Sequence, residues 1–70
     1  MDMEAVDSSN VHSVGYDPES RRMRVQFVNG NVHDYQDVPA ETHQALMASD
    51  SKGGHLAKHV KPAHCSVRIK

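Results

Sequence analysis

The sequence predicts an α+β fold, a three-stranded antiparallel meander followed by two short helices (β-β-β-α-α). Three observations carry this reading. Apolar and polar residues alternate over residues 11–16, 23–27 and 32–36, the period of half-buried strands. Turn residues separate these runs, Asp17-Pro18-Glu19-Ser20 and Asn29-Gly30. After Val38-Pro39 the period lengthens to that of a helix, with His43, Leu46 and Met47 at i, i+3 and i+4.

Each element has a local cause. Residues 1–10 are polar, end in Ser8-Ser9-Asn10 and show no period; they read as a disordered lead-in. In the first strand His12, Val14 and Tyr16 oppose Val11, Ser13 and Gly15. Pro18 presets φ for the first turn, and Asp17 can accept a backbone hydrogen bond within it. The second strand turns Met23, Val25 and Phe27 to one face and Arg22, Arg24 and Gln26 to water.

The next hairpin has two registers. A two-residue Asn29-Gly30 turn sets Phe27 against Val32 and puts Asp34 on the core side. A three-residue loop with Gly30 left-handed sets Val25 against His33 and Met23 against Tyr35. A one-residue slip exchanges the faces, and an unpaired core carboxylate costs several kcal/mol. The bulged loop, with Tyr35 facing the core, is therefore expected.

Pro39 suits the first position of the first helix and Glu41 its positive end. Ser51 is a candidate N-cap for a second helix, which Lys61-Pro62 ends. Leu56 and Val60 would face the sheet there, and Lys58 and Lys61 the solvent. Gly53 and Gly54 form helix poorly, which points to close backbone approach or room for a ligand. Residues 65–69 alternate and could add a C-terminal edge strand.

At 70 residues the chain makes one domain at most, with little margin for a deep, dry active site. There is no Trp, one Phe and two Tyr, so the expected core is mostly Val, Leu, Met and Ala. A single cysteine, Cys65, excludes an internal disulfide. The acidic start is followed by no apolar run, and nothing approaches the roughly 18 apolar residues of a membrane span. The expectation is a cytoplasmic domain without a membrane partner.

Charge is uneven along the chain. Residues 1–40 hold seven acids and three bases, whereas residues 51–70 hold Lys52, Lys58, Lys61, Arg68 and Lys70 and no acid. Such asymmetry fits an anionic partner, or a merely solvated basic tail.

The residues Val14-Gly15-Tyr16-Asp17, Met23-Arg24-Val25-Gln26-Phe27, Gly30, Tyr35, Val38-Pro39, Leu46, Ala48, Ser51-Lys52-Gly53, Leu56 and Val60-Lys61 together resemble the KTSC domain. Their order and spacing are kept from Ser8 to His64, which suggests a domain over residues 11–64 and a tail or edge strand over 65–70. The resemblance implies a small module found alone in bacterial and phage-related proteins and at the C-terminus of some lysyl-tRNA synthetases, a setting that implies RNA binding. Histidine stands at three positions, His33, His43 and His64, where the family usually has an aromatic residue, and Ala57 replaces a common asparagine. Imidazole stacks on a base with less area than phenol.

Other chemistries are weighed against this pattern. His55 and His59 share a helical face near His64 and Cys65, and zinc accepts such donors. The strong signals Cys-x-x-Cys and His-Glu-x-x-His are absent, so these residues read as structural, and no metal or other cofactor is expected. Neighbours along a strand point to opposite faces, so His64 cannot serve Cys65 as a base, and Ser51 is accounted for as a cap. No enzyme and no small-molecule substrate are inferred. Two readings remain. One is RNA binding, with Lys52, Lys58, Lys61 and Arg68 on the backbone, Gly53 and Gly54 amides on a phosphate, and Tyr35 stacking a base. The other is a protein-interaction module, for which an exposed strand edge offers a route to self-association.

Overall fold

Five short segments have backbone groups to satisfy and only a few apolar side chains each, and antiparallel pairing into one sheet solves both problems. The computed structural model describes residues 2–70. It contains β1 (Met3–Ala5), β2 (Val11–Asp17), β3 (Arg22–Phe27), β4 (Val32–Tyr35), α1 (Ala40–Ala48), α2 (Lys52–His55) and β5 (Ser66–Arg68). The second helix continues beyond His55 as a π-helical turn, Leu56–Val60. The strands lie in the order β1-β2-β3-β4-β5, every neighbour antiparallel. The α+β class and the helices after the central meander are as expected, and the C-terminal edge strand is present.

The lead-in expectation needs correction. Met3–Ala5 is a strand, with Met3, Glu4 and Ala5 opposite Gly15, Val14 and Ser13. Met1 lies outside the described residues. Ser8 Oγ shapes the return by accepting from the amides of Asn10 and Val11, both at 3.3 Å. All three β1 residues are exposed, so backbone pairing rather than burial holds this strand.

The face assignment within β2 is also corrected. Val11 pairs with Phe27 but Ser13 pairs with Gln26, so His12 is a bulge residue. The inserted residue changes parity, so Val11 and Val14 are both buried while His12 is exposed.

The β3–β4 hairpin takes the bulged register: Met23 opposes Tyr35 and Val25 opposes His33. Gly30 has φ +94°, a conformation costly for any residue with a Cβ, and its amide donates to Phe27 O at 3.0 Å. Asn29 Oδ1 accepts from the amide of Asn31 at 3.0 Å. Asp34 is thereby turned away from the helices, yet it is buried. Arg24, its partner across the strands, grips it through Nε–Oδ1 and Nη2–Oδ2 bonds of 2.7 and 3.0 Å.

Ser51 caps α2 as expected, its hydroxyl accepting from Gly54 N at 3.3 Å. Pro39 stands one residue earlier than expected, as the N-cap of α1. The core joins Val11, Val14, Met23, Val25, Tyr35, Val38, Leu46, Leu56 and Val60. Leu56 and Val60 both reach it from the wide π turn, in which Lys61 N donates to Leu56 O at 2.9 Å. Among the described residues no helix is long and apolar enough to cross a membrane.

Candidate functional site

Phe27 is the last residue of β3, where the sheet runs out from beneath the helices. Its ring is half-buried, packed on the core at one edge and open at the other. His33 meets it edge to face, with centroids 5.5 Å apart and planes at 89°. Lys61, at the end of the π turn, places Nζ 5.7 Å from the ring centroid, a favourable cation–π position.

Two hollows flank this group. One, of about 430 Å³, is walled by Phe27, Asn31, His33, Tyr35, Lys61 and Ser66. The other, of about 400 Å³, lies between Asn10, Phe27, Gly53, Leu56, Ala57 and Lys61. Asn29 belongs to both. Arg68 is paired with His33 across β4 and β5, and its Nη2 donates to Asn31 Oδ1 at 3.2 Å. Among the described residues neither hollow has an acidic wall residue. Three smaller hollows each include one, Glu41 in the first and Asp37 in the other two. The basic late segment and the aromatic end of β3 therefore meet between hollows that no acidic side chain lines among the described residues, an arrangement chemically suited to an anion carrying a flat ring.

The residues expected to bind are distributed unevenly. Lys61 stands between the hollows and Arg68 beside the larger one. Tyr35 lines the larger one but is only 1% exposed, and burial raises its phenol pKa; it is a floor rather than a free stacking surface. Lys58 is exposed and lines neither hollow. Lys52 Nζ donates to Ser49 O at 2.7 Å, satisfying a carbonyl at the end of α1. A Cβ on Gly53 would come within 3.0 Å of Asn10 Nδ2, so close approach accounts for that glycine. The amide of Gly54 is engaged by Ser51 Oγ.

Phe27, His33, Asn29 and Asn31 were not singled out as site residues from sequence. The available signal was position: Phe27 closes an apolar stripe immediately before the turn, where covering elements commonly end.

The remaining histidines have local partners. His43 stacks on Tyr16, centroids 4.7 Å apart and planes within 9°, while Tyr16 OH donates to Val38 O at 2.6 Å. Burial lowers the pKa of His43, partly offset by the charge of Glu4. His55 and His59 lie 4.6 Å apart by ring centroid; burial and the neighbouring His59 lower the pKa of His55. His64 Nδ1 donates to Gln36 O at 3.1 Å. Among the described residues no group of three or more His, Cys, Asp or Glu side chains is placed to hold a metal ion.

Comparison with known proteins places this geometry in context. The family model for the KTSC domain matches residues 7–64. An uncharacterized protein of Stutzerimonas stutzeri is 43% identical over 60 residues, covering 86% of this chain and 84% of the relative. A protein of Tsukamurella paurometabola is 33% identical over 67 residues, covering 96% of this chain and all of the relative. The crystal structure of a KTSC domain protein from Yersinia pestis superposes with a TM-score of 0.91 at 33% identity, covering 99% of this chain and 97% of the other.

Proposed function

The chain belongs to the KTSC domain family, and on that premise we propose that it is a small non-catalytic domain that binds single-stranded RNA at the Phe27–Lys61 cleft. The observation carrying this reading is Lys61 against the Phe27–His33 pair, between two hollows that have no acidic lining residue among the described residues, with Arg68 beside the larger one. Lysine and arginine neutralise phosphates. Phe27 offers a ring edge and face on which an unpaired base can stack, and imidazole from His33 extends that surface. Duplex RNA displays phosphates and hydroxyls but keeps its base faces stacked, so a single strand suits the cleft better. The chain's pI of about 6.6 makes long-range attraction weak, so binding is modest, with a salt dependence set by the few phosphates contacted.

The test is a fluorescence-anisotropy titration with a mixed single-stranded RNA pool at several salt concentrations. Two phosphate contacts, from Lys61 and Arg68, give a log–log slope of about −1.4, and Lys61→Gln with Arg68→Gln brings it close to zero. Absence of binding at low salt removes the RNA reading.

A second reading has its own observation. Val67 in the edge strand β5 and Ile69 just after it are each 47% exposed, and an exposed edge can accept a strand from another protein or a second copy. Mass that rises with concentration in light scattering supports it; a monomer at all concentrations removes self-association.

A further inference from the structure

We propose that the site takes two successive nucleotides of one RNA strand, one in each hollow, with the phosphate between them held by Lys61. This rests on the RNA reading and goes beyond it by assigning the size of the binding unit.

The geometry comes from what the hollows share. Phe27, Asn29 and Lys61 line both, so the two spaces are adjacent and divided by the Lys61–Phe27 pair. Beyond the divide the walls differ. The larger hollow is aromatic and hydrogen-bonding, with His33, Tyr35 and Asn31. The smaller one has an apolar floor, Leu56, beneath the exposed Ala57. Each is of the size commonly occupied by a small ligand.

A dinucleotide has the matching form, two flat rings joined through a single phosphate. The ammonium of Lys61 is free of any carboxylate partner among the described residues. It rests against Phe27 only by a cation–π contact. Exchanging that contact for a phosphate oxygen gives a charge-assisted bond and clears the ring face for a base. Asn29, at the junction, offers both an amide donor and a carbonyl acceptor to whichever base edge approaches.

The experiment compares adenosine 5′-monophosphate with the dinucleotide ApA, each having one phosphate group, by calorimetric titration at low salt. The mononucleotide carries the greater charge on its phosphate, so charge alone favours it. Two-hollow binding instead makes ApA about tenfold tighter, from a second base contact. Ala57→Phe, which fills the smaller hollow from an exposed position, removes the advantage of ApA over the mononucleotide. Lys61→Gln weakens ApA about tenfold by loss of the phosphate bond. If a longer single-stranded RNA binds while ApA is no tighter than the mononucleotide, the two-nucleotide unit is overturned and the RNA reading stands. If neither ApA nor the longer strand binds, both fall.

Discussion

Replacing Asp34 or Arg24 should test why the central hairpin has one register. Asp34 has a side chain only 5% exposed, and Arg24 reaches it from the facing position with bonds of 2.7 and 3.0 Å. Arg22 adds a looser contact at 3.8 Å from a side chain 48% exposed. Breaking a fully buried ion pair costs about 3–5 kcal/mol because one charge is stranded. Here the two members are stranded differently. Arg24 is 34% exposed, so in Asp34→Ala its guanidinium recovers water, and the loss should be about 2 kcal/mol, near that of one charge-assisted hydrogen bond. In Arg24→Ala the carboxylate stays enclosed with only the distant Arg22, and the loss should be about 3 kcal/mol. Urea unfolding followed by circular dichroism reads both. At a slope of about 1 kcal/mol/M for so small a domain, the midpoint falls by about 2 M and 3 M. The double variant should recover at least about 1 kcal/mol relative to the sum. Single variants within about 0.5 kcal/mol of the parent, or strictly additive losses, would refute the role given to the pair.

Two further outcomes follow from the packing. Tyr35→Ala should cost about 3–5 kcal/mol, as removal of a buried aromatic does, whereas Tyr35→Phe should stay within about 1 kcal/mol; a stable Tyr35→Ala would place the ring in solvent and make it a recognition residue. Stability should also decline on acidification, because burial lowers the pKa of both His43 and His55 from the ordinary 6.5. The unfolded chain then takes up protons before the native state does, so stability is full above pH 6.5 and is lost as the pH falls through the lowered native values. Urea midpoints at pH 7.5 and pH 5 check this, and a higher midpoint at pH 5 would contradict it.

Much of the fold could be read from particular residues. Gly30 and the cost of a carboxylate on the core face together selected the β3–β4 register, and with it the inward direction of Tyr35. The cost argument held in an instructive way: Asp34 is buried after all, but on the outer face, where Arg24 can meet it. Leu56 and Val60 were legible because a spacing of four brings both to one side of a helix. The first strand was not, since Met3-Glu4-Ala5 carries no alternating stripe and is held by β2's free edge. The parity of Val11 was hidden by the His12 bulge, which depends on how β3 pairs rather than on β2's own residues. The cleft was the least legible part. Its walls come from Asn10, the β3–β4 hairpin, the π turn and β5, and whether Phe27 stays open depends on where the helices stop covering the sheet.

The most direct measurement is an amide chemical-shift map of the ¹⁵N-labelled domain titrated with single-stranded RNA at low salt. The account predicts perturbations gathered at Phe27, Asn29, Asn31, His33 and Lys61. Perturbations centred on Arg22, Arg24 and Asp34 across the sheet, or none at all, would contradict it.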